Sequence, residues 1–546
     1  MKKVLYGLLF CSGPLFCQGI QNGHLSGNFQ SNSQLYYEDE DLGITSDNLP
    51  SEKFLINSFA NLLYTTSNFS AGMRYEANHN VLLGFDKRYN GEGIPYRYVQ
   101  FNKDGLDITL GNFYEQFGSG MILRAFEERN LGYDNAFDGF RLKYSPCKGV
   151  YLKSLVGRQR LFFDKSEGIV RGFDSEISLN ESFENLSNIK TQVMIGGSFV
   201  SKFQKDLDPI FVLPENVASW AGRFNIYHGK WIISAEYVYK YNDPSATNNF
   251  IYKEGQAFLT NIGYSKKGFG LSLAAKRIDN MSFNSDRNLG GQDVNINFLP
   301  ALTKQHTYAL ATIYPYGTIA NGEMGLQADL NYKIKKGTVF GGKYGIGILA
   351  NFSNAYSIYK APINENTEIG ESGTLGYTSD FFKVGDDKYF QEYSLEISKK
   401  INRKLKFIGT YLNTHYNSSF IVGYGDYGMI KASIWILETQ YKLKPKHSVR
   451  TELQHLKTAQ HEGNWAMGLV EYTVSPHYFI AIQNLYNYGN KINKTHYPNI
   501  SAGYTKNTTR FALGYGKQRE GIFCIGGVCR NVPKSNGFSL NITSSF

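Results

Sequence analysis

Through most of this chain apolar and polar residues alternate singly over runs of about ten residues, the period of a strand with two unlike faces. The run 536–546 (NGFSLNITSSF) places Phe538, Leu540, Ile542 and Phe546 on one parity. Leu106, Ile108 and Leu110 do the same before the segment 111–144, and Phe140, Leu142 and Tyr144 at its end. Beyond the first 20 positions no run of about 18 apolar residues occurs, so helical spans of a membrane are not expected. Strands with one apolar and one polar face suit a closed transmembrane barrel, lipid outside and lumen inside.

Punctuation between the runs gives the expected strand number. Tight turn-like stretches stand at 66–68, 102–105, 145–149, 228–230, 266–268, 335–338, 402–404, 444–447, 475–477 and 506–508. Longer segments fall between them at 40–52, 84–95, 114–136, 204–217, 243–254, 284–291, 356–385 and 520–533. Reading 293–299 (DVNINFL) as a strand, with a turn near 301–304, keeps short and long in alternation. The expectation is an all-β fold, a single large antiparallel transmembrane β-barrel of about 26 strands (range roughly 22–26), with both termini periplasmic.

The amino terminus, MKKVLYGLLFCSGPLFCQG, has two lysines, an apolar stretch of about a dozen residues and then small and polar residues, the make-up of an export signal. Residues 1–19 are read as signal peptide and 20–546 as the outer-membrane barrel domain. Lipid attachment at Cys17 is the competing reading, and the bulky Phe16 before it speaks against it. The terminal Phe546 on an alternating strand resembles the signal by which bacterial outer-membrane barrels reach their assembly machinery. The expected location is therefore the bacterial outer membrane, crossed many times by strands.

Composition agrees. Charged residues are 19% and aromatic residues 15%, with 40 Tyr and 38 Phe, as aromatic girdles at two membrane interfaces require. The formal charge of +10 is spread over turns such as SKKG, KIKKG, SKKINRK and KPKH, and is not a nucleic-acid footprint. The longer loops are acidic instead: YYEDEDLG, INENTEIGES and VGDD. Basic turns would face anionic phospholipid, and acidic loops would meet surface glycolipid through divalent cations. Of five cysteines, two belong to the leader; Cys524 and Cys529 (CIGGVC) are expected to close a small disulfide loop, because a zinc pair lacks two further ligands. Cys147 is left as an unpaired thiol.

The least barrel-like stretch is 111–144, which carries Glu115, Arg124, Glu127, Glu128, Arg129, Asp134 and Asp138 between two alternating runs. Residues 121–130 have a helix-compatible composition, and Gly118 and Gly120 permit a sharp bend before them. The segment is expected to fold inward and narrow the lumen, offering its opposite charges to a solute. A surface loop held to the wall by individually weak ion pairs is the alternative.

GNFYEQFGSG, FEERNLGYDNAFDGFRLKYSP, the YPYGT…NGEMGLQADL pair and GGVCRNVPKSNGFSLNITSSF together resemble an uncharacterised family of Bacteroidota outer-membrane proteins, a domain of unknown function. The resemblance runs from about residue 27 to the end. It implies a barrel and its location, and no reaction, ligand or site residue.

Enzyme and metal constellations are weak. His415 with Ser418 or Ser419, or His79, lacks an acid placed to orient an imidazole. His455, His461 and Glu462 lack metal-ligand spacing, and the GxG triplets at 345–347 and 423–425 lie in strands or hairpin ends. No enzyme activity, cofactor or metal is expected. A channel or transport barrel for a polar solute is the leading expectation; the alternative is a loop-closed scaffold serving a secretion or surface-assembly complex.

Overall fold

The computed structural model describes residues 23–291, 293–423, 427–525 and 528–546, with side chains throughout except at 522–530. The leader, 1–19, lies outside the described residues.

Twenty-four strands form one antiparallel sheet, each paired with its sequence neighbour. The first, His24–Tyr36, pairs with the last, Ser535–Ser545, so the sheet closes and leaves no edge. The ten tight stretches from 66–68 to 506–508 named above lie at one end of the barrel, where both of these terminal strands also place their outer ends. The opposite end carries the longer loops and one tight hairpin, 162–163, between Val150–Leu161 and Asp164–Ser178.

Each strand shows its two faces. On Met429–Lys444, Trp435, Leu437 and Tyr441 point outward and are exposed, as positions that meet lipid are in the bare chain. Ile434, Ile436 and Glu438 alternate with them toward the lumen and are buried. On Ser535–Ser545 the outward residues are Phe538 and Leu540, with Ser539 and Asn541 facing in. The architecture is that of an outer-membrane β-barrel, an apolar girdle around a lumen that its own wall cannot fill.

The barrel has 24 strands, within the expected range and two below 26. The described residues of 280–322, between Phe269–Asp279 and Glu323–Ile334, contain no barrel strand. The run 293–299 alternates because it is extended, but it lies inside the barrel. Its one ladder contact is an isolated bridge from Asn295 to Asn284. Val294 and Ile296 are fully buried on one side, while backbone carbonyls and Asn297 bond on the other. Period-2 patterning reports extension with unlike faces, and an extended segment inside a lumen has both properties. The even count survives because the whole of 280–322 is a single long-end connection.

Candidate functional site: a divided lumen

Two long-end connections enter the barrel. The first is 114–136. Gly118 (φ +53°) makes the entry turn, in a conformation that favours glycine; a Cβ there would lie 2.6 Å from a carboxylate oxygen of Glu236. Residues 121–130 form no α-helix. Gln116–Phe117 pairs with Leu123–Arg124, then Glu127–Glu128 with Tyr133–Asp134, and a single 3₁₀ turn, Arg129–Leu131, joins the second pair. The Gly118 turn and alternating apolar residues let each short arm bury one face, which outweighs local helix propensity.

Phe117, Met121, Ile122 and Leu123 have no exposed surface. They pack on lumen-facing Leu155, Val170, Val200, Val238 and Ala257 of the wall. Those wall strands are therefore apolar on both faces in part, a signature of strands covered on both sides.

The second connection, 280–322, is tied to the wall by lysines. Lys202 Nζ donates to Asp243 (2.7 Å) and to the carbonyl of Asn284 (2.8 Å). Lys240 Nζ donates to the carbonyl of Ser282 at 2.7 Å. Lys276 Nζ reaches the carbonyl of Pro300 and Glu323, each at 2.7 Å. All three lysines are buried, so each needs such partners to remain in the lumen. Gly168 lets the segment touch the wall, since a Cβ there would stand 1.8 Å from the carbonyl of Ser285. Further on, Leu310, Ile313, Tyr314 and Tyr316 cover the inward Leu412, Ile434, Ile436 and Leu456.

The charges of the first segment are largely taken up by the wall. Arg160 donates to Glu76 and Asp134 at 2.7 Å each. Arg74 pairs with Glu76 (2.7 Å), Glu127 (2.8 Å) and Asp134. Arg129 pairs with Glu127 at 2.6 Å, which completes a set of three guanidinium groups and three carboxylates. Glu115 is held by Lys143 (2.9 Å) and Lys153 (3.3 Å), and Asp138 by Lys165 (2.6 Å). Arg124 lies over the rings of Phe126 and Phe298. Glu128 accepts from the amide of Asn130. Burial pushes the Asp134 carboxyl up, but Arg160 and Arg74 outweigh it and hold it below its ordinary value. The wall partners Arg74, Glu76 and Arg160 escaped the sequence reading; their only signal is a charge at lumen parity inside a strand.

The lumen keeps a cavity of about 1060 Å³ on the side of the closing strands. Its boundaries are Arg129 and Asn130 of the first segment, residues 303–316 of the second, and the wall from Arg450 to Asn541 with Asn32 and Gln34.

The other candidates do not converge on it. His415 shares the outward parity of exposed Tyr411, so it does not face the lumen, and Ser418 bonds the carbonyl of Gly428. Backbone pairing sets Cys524 opposite Cys529, while their side chains lie outside the described residues. Cys147 is exposed and free.

A closed barrel with a lumen divided by its own connections defines the class: a large outer-membrane β-barrel with two connections folded into its lumen. The chain belongs to DUF6029, a family of unknown function whose model matches residues 1–546. No curated protein matches it. Among solved structures, it is similar to the siderophore receptor PirA from Pseudomonas aeruginosa, at 11% identity over 97% of this chain and 81% of that one, with a TM-score of 0.41. It is also similar to the outer membrane protein opdK from Pseudomonas aeruginosa, at 8% identity over 96% of this chain and 98% of that one, with a TM-score of 0.35.

Proposed function

We propose that this protein carries a polar solute across the outer membrane, through the part of the lumen that the two inward connections leave unfilled. The observation behind the reading is the cavity beside Arg129 and residues 303–316, bounded by polar side chains of seven wall strands. In this reading 114–136 is the constriction, and its wall ion pairs fix it in place while its inner edge, Arg129 and Asn130, meets the solute. The seven sequence-derived residues thus divide into anchors and a short contact edge.

Conductance of the whole protein in a planar lipid bilayer tests this. Steady steps of one size are expected, growing when 117–130 is replaced by a short Gly-Ser linker. Unchanged steps would remove the constriction role, and silence from protein shown to be inserted would remove the passage.

A second reading rests on a different observation. The loop 204–215 is built by Asp206 and Asp208 accepting backbone amides, and it holds Leu207, Ile210 and Val212 at least 80% exposed at the long-loop end. A pre-formed apolar tip outside the girdle suits a scaffold that docks a partner. Silent bilayers together with a co-purifying partner lost on Leu207→Ser, Ile210→Ser and Val212→Ser would favour it.

A further inference from the structure

We infer that the solute is uncharged and rich in hydroxyl groups, of the saccharide class; this rests on the passage reading above. The cavity brings together amides and hydroxyls from strands far apart in sequence: Asn32, Gln34, Gln483, Asn499, Ser539 and Asn541. A carboxamide offers donors and an acceptor together, which matches a hydroxyl that is itself both.

Most charges along the same cavity have a partner of opposite sign. Arg129 is held by Glu127 at 2.6 Å and Arg450 by Glu452 at 2.8 Å. Lys517 lies between Asp39 (2.8 Å) and Asp41 (2.9 Å), and the His306 ring nitrogen is within hydrogen-bond distance of Glu392 at 2.7 Å. Arg519 donates to the backbone carbonyl of Glu520. Lys304, Arg519 and the Glu520 carboxylate, of mixed sign, are what is left on the lining without a salt bridge among the described residues. Paired charges project little field into the space between them, so this lining concentrates ions of either sign less than a row of like charges would.

Aromatic rings supply the remaining contacts. Tyr497 of the wall, half-buried and stacked on Trp465 at 5.8 Å, lines the cavity, where Tyr314 and Tyr316 of the second connection also lie but are buried. Ring faces carry partial negative charge and accept the C–H faces of a sugar without an ionic partner. A volume of about 1060 Å³ exceeds that of one ring and admits a short chain of them.

The test is osmotic swelling of liposomes containing the full protein, with sucrose and raffinose as neutral probes and succinate and lysine as charged ones. Reversal potential in a potassium chloride gradient is recorded alongside. Swelling with both sugars at least as fast as with the charged probes, and a reversal potential near zero, is the expected result. A permeability ratio between cation and anion beyond about tenfold, the effect of about 1.4 kcal/mol of field, would overturn the inference and leave the passage intact. The double variant Asn499→Asp with Asn541→Asp should make the pore cation-selective at unchanged insertion. No change in selectivity would show that solute does not pass this wall, and would overturn the inference as well. Neither swelling nor current from inserted protein would overturn passage and inference together.

Discussion

The amide of Arg124 donates to the carbonyl of Ile296 at 2.8 Å, joining the two inward connections to one another. Phe298 returns the contact through its own amide to Gly120 at 2.9 Å, and Asn135 Nδ2 reaches the carbonyl of Asn295 at 2.8 Å. Neither connection has a complete set of backbone partners alone, because an extended segment outside a sheet leaves one row of amides and carbonyls open. Replacing 117–130 by a linker should therefore loosen 293–300 as well. Limited proteolysis of the folded protein is expected to cleave near 293–300 only in that variant. Equal resistance in both would show that the second connection is held by the wall alone.

Arg160, like Arg74, is a buried guanidinium that bridges Glu76 of the wall and Asp134 of the first connection. Arg160→Met leaves buried carboxylates short of a partner, at an expected loss of about 3–5 kcal/mol. Arg97→Met is the control: Arg97 lies 3.5 Å from Asp138 with its side chain mostly exposed, and about 0–1 kcal/mol is expected. Urea unfolding of the two variants in the same membrane mimetic measures the difference; comparable midpoints would contradict the bridging role.

Acid should release the first connection late. The Asp134 carboxyl is held below its ordinary 3.8 in the fold, and that of Glu115 below 4.5, where Lys153 and Lys143 outweigh burial. A depressed carboxyl stabilises the fold above its unfolded value, and the contribution disappears as pH falls through the folded one. Protection of 114–136 from hydrogen exchange should be flat from pH 8 down to about 5 and decline only below about 4. A loss of protection centred between pH 5 and 7 would show that these pairs do not hold the segment.

Thiol counting addresses the hairpin Gly521–Ile525 with Val528–Val532, whose register sets Cys524 directly across from Cys529. Oxidised, denatured protein without its leader is expected to alkylate at Cys147 alone, and at all three cysteines after reduction. Three labelled positions before reduction would mean that the pair is open.

Alternation determined the barrel. Phe538 and Leu540 against Ser539 and Asn541, or Trp435 and Leu437 against Glu438, state which face meets lipid without any tertiary information. A strand's side-chain period is two whatever it packs against. Loop parity likewise placed the turns at 66–68, 145–149 and 475–477 at one end, because neighbouring antiparallel strands must return to the side they left.

Tertiary structure alone decided what fills the lumen. DVNINFL alternates as a wall strand does, yet Val294 and Ile296 are fully buried, Ile296 in the cluster that holds Phe283 and the first connection. Glu76, Arg74 and Arg160 read as ordinary lumen charges until Asp134 and Glu127 arrive beside them, from positions tens of residues away. The alternating pattern is a local property fixed by backbone geometry. Whether a connection turns out into solvent or in between two walls depends on surfaces that exist only once the sheet has closed.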